Sequence, residues 1–140
     1  MLSFASCSSV PPSQKASRVE KLVEELNTED TERLIELSAR PFLLDAEIIN
    51  REEDVRILWT NLRDSGFSFA NAYILSIDPA LPAHFARFSN DPETQAYFEK
   101  YLSGDAALVQ LQTDYGRFLL LTGSKLGRIP LIYGFTGPEV

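Results

Sequence analysis

The chain is short of the residues on which most site chemistry depends. It has one cysteine, Cys7, and one histidine, His84, in 140 residues. A lone thiol closes no intramolecular disulfide and builds no cysteine-rich metal centre. A zinc site with a single imidazole would have to rest on carboxylates, a donor set that zinc rarely uses so heavily. The D-x-[DN]-x-[DN]-G calcium loop is missing too, so no resident metal is expected. No cofactor is expected either, because G-x-G-x-x-G, the P-loop pattern and G-x-S-x-G are all absent. Gly123-Ser124-Lys125 lacks the upstream glycine spacing and reads as a turn. Basic residues are scarce: 13 Lys and Arg stand against 20 Asp and Glu, a net charge of −7. That balance argues against nucleic acid as a partner, since such binding draws on Lys and Arg to neutralise phosphates. No apolar run reaches the length needed to cross a bilayer.

What is present fits a single packed domain. The chain is 44% hydrophobic and 11% aromatic, enough for a real core. Its acidic residues cluster at Glu20, Glu24, Glu25, Glu29, Asp30, Glu32 and Glu36, which reads as a solvated helix face. Val19, Leu22, Val23 and Leu26 form the apolar stripe of a helix from Ser17 to Asn27. Thr28 is the expected N-cap of a second helix that Pro41 stops. Phe42-Leu43-Leu44 and Glu47-Ile48-Ile49 then read as a short hairpin about Asp45-Ala46. A third helix over Glu52 to Asp64 carries Val55, Leu58, Trp59 and Leu62 at helical spacing, with Gly66 as its stop. Beyond Phe67 the period changes, and Tyr73 to Asp78 alternates as a strand ended by Pro79 and Pro82. Residues 82–104 are helical again, and three strands close the chain at Ala107–Thr113, Arg117–Gly123 and Arg128–Phe135. Asp114-Tyr115-Gly116 and the segment from Gly123 to Gly127 supply the turns between them.

At the start of the chain, Phe4-Ala5-Ser6-Cys7 resembles a relaxed bacterial lipobox, and Ser8 to Ser13 resembles the tether of a lipoprotein. The resemblance implies a lipid on Cys7, residues 1–16 as a flexible segment, a leader encoded further upstream and an address in the bacterial cell envelope. The membrane would then be touched only through that anchor. Without it, the expected address is the cytoplasm.

Two phrases carry a wider resemblance. Leu26-Asn27-Thr28-Glu29-Asp30 joins the first two helices, and Pro41-Phe42-Leu43-Leu44-Asp45 leads through the hairpin into the Trp59 helix. Their order and spacing resemble the NTF2-like (SnoaL/ketosteroid-isomerase-like) superfamily over roughly residues 17–137, with 82–104 as a helical insertion. The resemblance implies an α+β cone, its N-terminal helices packed on a strongly curved antiparallel sheet. Trp59, Tyr73, Phe118 and Tyr133 are then candidates to line a ligand pocket, although aromatics at such spacing are also ordinary core residues. The family holds isomerases, dehydratases and epoxide hydrolases beside non-catalytic binders, so fold alone names no activity.

Its isomerases place an aspartate base in the short hairpin, where Asp45 stands here. They also use a hydrogen-bond donor on the first helix, and the matching position holds Leu22, which donates nothing. The stabilisation of a developing oxyanion is therefore missing. The leading expectation is a non-catalytic domain that binds a small apolar molecule or a protein partner. The alternative is a small-molecule isomerase or hydratase using Asp45 or a His84–Asp78 acid/base pair. A homodimer through the outer face of the strands is a third expectation.

Overall fold

The computed structural model describes residues 12–102, 104–126 and 129–139. Helix α1 (Pro12–Thr28) reaches further back along the chain than the apolar stripe suggests. Residues 12–16 are therefore helical rather than tether. The helix ends at the Leu26-Asn27 phrase, whose purpose is visible in its bonds. Asn27 Nδ2 donates to the Phe69 carbonyl (3.0 Å), and its Oδ1 accepts from the Phe69 N–H (2.8 Å). Arg63 donates to the carbonyls of Leu26 and Glu29 at 2.8 and 2.5 Å, satisfying groups that a helix end leaves open.

Helix α2 (Thr31–Leu37) is capped by Asp30, whose carboxylate accepts from the Arg33 N–H at 3.0 Å. Thr28, the expected cap, instead closes α1 by donating its hydroxyl to the Glu24 carbonyl. Strand β1 (Ser38–Leu44) and strand β2 (Glu47–Ile49) form the short hairpin, and helix α3 (Glu52–Asp64) follows. After β3 (Tyr73–Pro79) come two short helices, α4 (Pro82–Phe85) and α5 (Pro92–Tyr101). The chain closes with β4 (Ala107–Thr113), β5 (Gly116–Leu126) and β6 (Ile129–Glu139). Strand β5 thus runs on into the stretch expected to turn after Gly123.

The six strands make one open, mixed sheet in the order β2-β1-β6-β5-β4-β3. All neighbours are antiparallel except β1 and β6, which run parallel. Gly134 of β6 permits that pairing, because a Cβ there would sit 2.1 Å from the Leu43 carbonyl oxygen.

Alternation along the strands sorts the core into two layers. Phe42, Val109, Leu111, Phe118, Leu120, Ile132 and Phe135 face α1, α2 and α3. Their neighbours Leu43, Leu108, Leu119, Leu121 and Tyr133 point the other way, against Phe85, Phe88, Tyr97 and Phe98 of the α4–α5 segment. That insertion covers the back of the sheet. It does not close over the first three helices.

Candidate functional site

Between α3 and the sheet, where the sequence places a pocket, the space is filled by rings. Trp59 stacks on Phe135 with centroids 5.9 Å apart, and Phe42 meets its edge at 6.0 Å. Phe67, Phe69 and Phe118 continue the cluster at 5.1 to 5.8 Å. Each such pair adds about 0.5–1.5 kcal/mol beyond simple burial. Trp59 is 2% exposed, and its indole N–H donates to Ser38 Oγ at 2.9 Å. That hydroxyl passes the chain on to the Leu34 carbonyl at 2.7 Å.

The four aromatics expected to line one pocket therefore do different things. Trp59 and Phe118 are core residues on the helix side. Tyr73 is 58% exposed, because β3 is an edge strand and its outward residues have no layer above them. Tyr133 lies on the opposite face, under the insertion.

The acid/base candidates are likewise apart. Asp45 is exposed in the β1–β2 turn with φ of 53°, a left-handed position that aspartate tolerates. Its N–H donates to the Phe135 carbonyl, and its carboxylate accepts from Thr136 Oγ1 at 2.5 Å. Those bonds tie the hairpin to β6. His84 turns back on its own helix, with Nδ1 accepting from the Leu81 N–H at 3.2 Å. No hydrogen bond joins it to Asp78 among the described residues. Cys7 lies outside the described residues.

The acidic helix face is a network of ion pairs. Arg33 Nε meets Glu25 at 2.7 Å, and that contact raises the Arg33 pKa above its usual value. Arg56 bridges Glu32 and Glu52, and Arg40 reaches Glu52 at 3.2 Å. Among the described residues, no group of three side chains is placed to hold a metal ion.

Among the described residues, Tyr133 borders a shallow hollow with Ser38 and Tyr101, Asp45 another with Glu47 and Glu93, and a third opens at the end of α1 away from Asn27. This third hollow has a volume of about 400 Å³, lined by Lys15, Arg18 and Val19 of α1, by Ile77 and Asp78 of β3 and by Asp105. The turn before β4, the end of β5 and the start of β6 complete it. Lys15, Arg18 and Val19 fall at i, i+3 and i+4, one face of the helix. Thr122 also lines it and is itself buried. On β5 the row facing the helices reads Phe118, Leu120, Thr122, so a hydroxyl appears where the aromatic core stops and the hollow begins. Reading the sequence found Asp78 and missed the rest. The signal was there, in a threonine closing an apolar row and two cations beside the Val19 stripe.

Compared with known proteins, the chain matches no family model and no curated sequence.

Proposed function

We propose that this chain is a non-catalytic binding domain of NTF2-like kind whose ligand site is the hollow beside Arg18 and Asp78. One observation carries the reading. The centre between α3 and the sheet is occupied by the Trp59–Phe135 ring cluster, while about 400 Å³ stays open at the start of α1. That volume lies within the about 300–1,000 Å³ of small-molecule pockets. Kinship with the NTF2-like superfamily is supported by the helix pair, hairpin and helix that precede the sheet, and by the strand order β2-β1-β6-β5-β4-β3. Asp45, held by Thr136 in an exposed turn, favours binding over proton transfer. A lipid anchor on Cys7 would set the domain at the bacterial envelope.

The test is to fill the hollow. Ala107, which lines it, sits at the first position of β4. In titrations with the neutral apolar dye Nile red, the parent protein should bind and Ala107→Phe should bind at least about tenfold more weakly, a loss of about 1.4 kcal/mol. Equal binding by a folded Ala107→Phe protein, or no binding by the parent, would sink the reading.

A further inference from the structure

We propose that the hollow takes an uncharged apolar molecule bearing one hydroxyl, which hydrogen-bonds to Thr122. The inference rests on the binding reading above and deepens it by naming the class of ligand. Strand pairing sets the floor of the hollow. Pro79 of β3 pairs with Ala107 of β4, and Ala107 with Thr122 of β5, so the three lie side by side across the sheet. All three line the hollow. Two residues along each strand, Ile77, Val109 and Leu120 make a parallel row that packs into the core beneath the helices. The floor continues that face, apolar at Pro79 and Ala107 and polar at Thr122.

The Thr122 hydroxyl is the group that the fold leaves to a ligand. Thr122 is 2% exposed, and among the described residues no hydrogen bond reaches its hydroxyl. Other buried hydroxyls are served by the chain itself. Ser38 lies between the Leu34 carbonyl and the Trp59 indole, and Thr113 between the Gly116 carbonyl and the Tyr115 N–H. Ser76 and Thr94 also lack partners, but both hydroxyls are sealed, and neither residue borders any of the three hollows. Thr122 combines burial, the want of a partner and a place in the lining. A hydroxyl on the ligand can donate or accept, so it meets that of threonine in either sense.

Charge in the lining is even, with Lys15 and Arg18 against Asp78 and Asp105. The net charge of −7 further disfavours an anion, because the whole-molecule field repels it. An uncharged ligand agrees with both facts. Val19, Ile77, Pro79 and Ala107 suit an apolar body.

The experiment is displacement of Nile red from the whole chain by p-cresol and by p-xylene, which differ by a hydroxyl in place of a methyl. Transfer out of water by itself favours the xylene, so the readout is the ratio of the two affinities, compared between proteins. Thr122→Val, which keeps the shape of the side chain, should move that ratio at least about fivefold against p-cresol. Thr122→Ala should do the same, whereas Thr122→Ser keeps the hydroxyl and should hold the parent's ratio. Far-ultraviolet circular dichroism of each variant would verify folding. A parent ratio retained by folded Thr122→Val or Thr122→Ala protein overturns the hydroxyl proposal and leaves the binding reading standing. So does a Thr122→Ser protein that behaves as Thr122→Val does, or a parent from which p-cresol displaces no dye. A parent that binds no Nile red sinks both.

Discussion

A single amide, that of Asn27, fixes how the first helix meets the rest of the molecule. Its two bonds to Phe69 satisfy a backbone donor and acceptor beside a residue that is 1% exposed. Buried backbone groups left without partners cost about 1–3 kcal/mol each. Asn27→Ala should therefore lower stability by about 2–4 kcal/mol, read as a lower urea midpoint with little change in slope. Asn27→Asp keeps the acceptor, loses the donor and brings a negative charge to the Phe69 carbonyl. It should be no better than alanine, and a variant close to the parent would show that the amide clamp is incidental. The same residue explains why the Leu26-to-Asp30 phrase was informative in the sequence. It holds a clamp at Asn27 and a cap at Asp30, two polar groups whose positions the turn geometry dictates. What the sequence could not convey at this scale was Tyr73. Alternation says that residues share a face, but the exposure of that face depends on β3 being an edge.

Among the elements, the α4–α5 insertion sets the character of the sheet's back. Tyr97 pins it, with its hydroxyl 2.9 Å from the Pro41 carbonyl and 3.1 Å from that of Tyr133. Burial, and after it the nearby Tyr133, pushes the Tyr97 hydroxyl well above the ordinary tyrosine pKa of about 10. An acid whose folded pKa is raised ionises first in the unfolded chain. The stabilisation is whole below about pH 10 and is lost as pH rises beyond it. Tyr97→Phe should cost about 1–2 kcal/mol at neutral pH and should flatten the fall in stability on the alkaline side. Urea unfolding at neutral pH and above pH 10 measures both, and parallel profiles for the two proteins would refute the assignment. Here the sequence was read well where local patterns decide. Helix α3, β2 and β4 lie where spacing put them. It was read less well where composition misleads. Pro12 and Ser13 resemble the end of a tether but lie in a helix, and Gly123-Ser124-Lys125 resembles a turn but continues β5. Whether the insertion lay over the helices or behind the sheet depended on long-range packing alone.

For the whole molecule, the two layers of helix leave little bare sheet. Leu43, Leu119, Leu121 and Tyr133 on the back are already covered by the chain itself. A homodimer formed through that face would have to displace α4 and α5. Nor does any helix among the described residues have the length and apolarity to cross a membrane. Attachment to a membrane through Cys7 therefore remains a proposal about lipid chemistry. If Cys7 carries a lipid, the protein made from its full reading frame in a bacterial host should enter the detergent phase on phase separation. Cys7→Ser should move it to the aqueous phase, and an unchanged distribution would remove the anchor.

Strand β6 also bears on how the chain is made. It follows every other described strand in sequence, yet it lies inside the sheet, parallel to β1 and antiparallel to β5. A ribosome delivers it only after every other strand, so β1 and β5 wait with unsatisfied edges until residue 139 has been joined. Because β1 and β6 stand nearly the whole domain apart in sequence, their pairing closes a long loop and belongs late in folding. A nascent chain stalled before Ile129 would hold the β1–β2 hairpin and the paired strands β5, β4 and β3 without the strand that joins them.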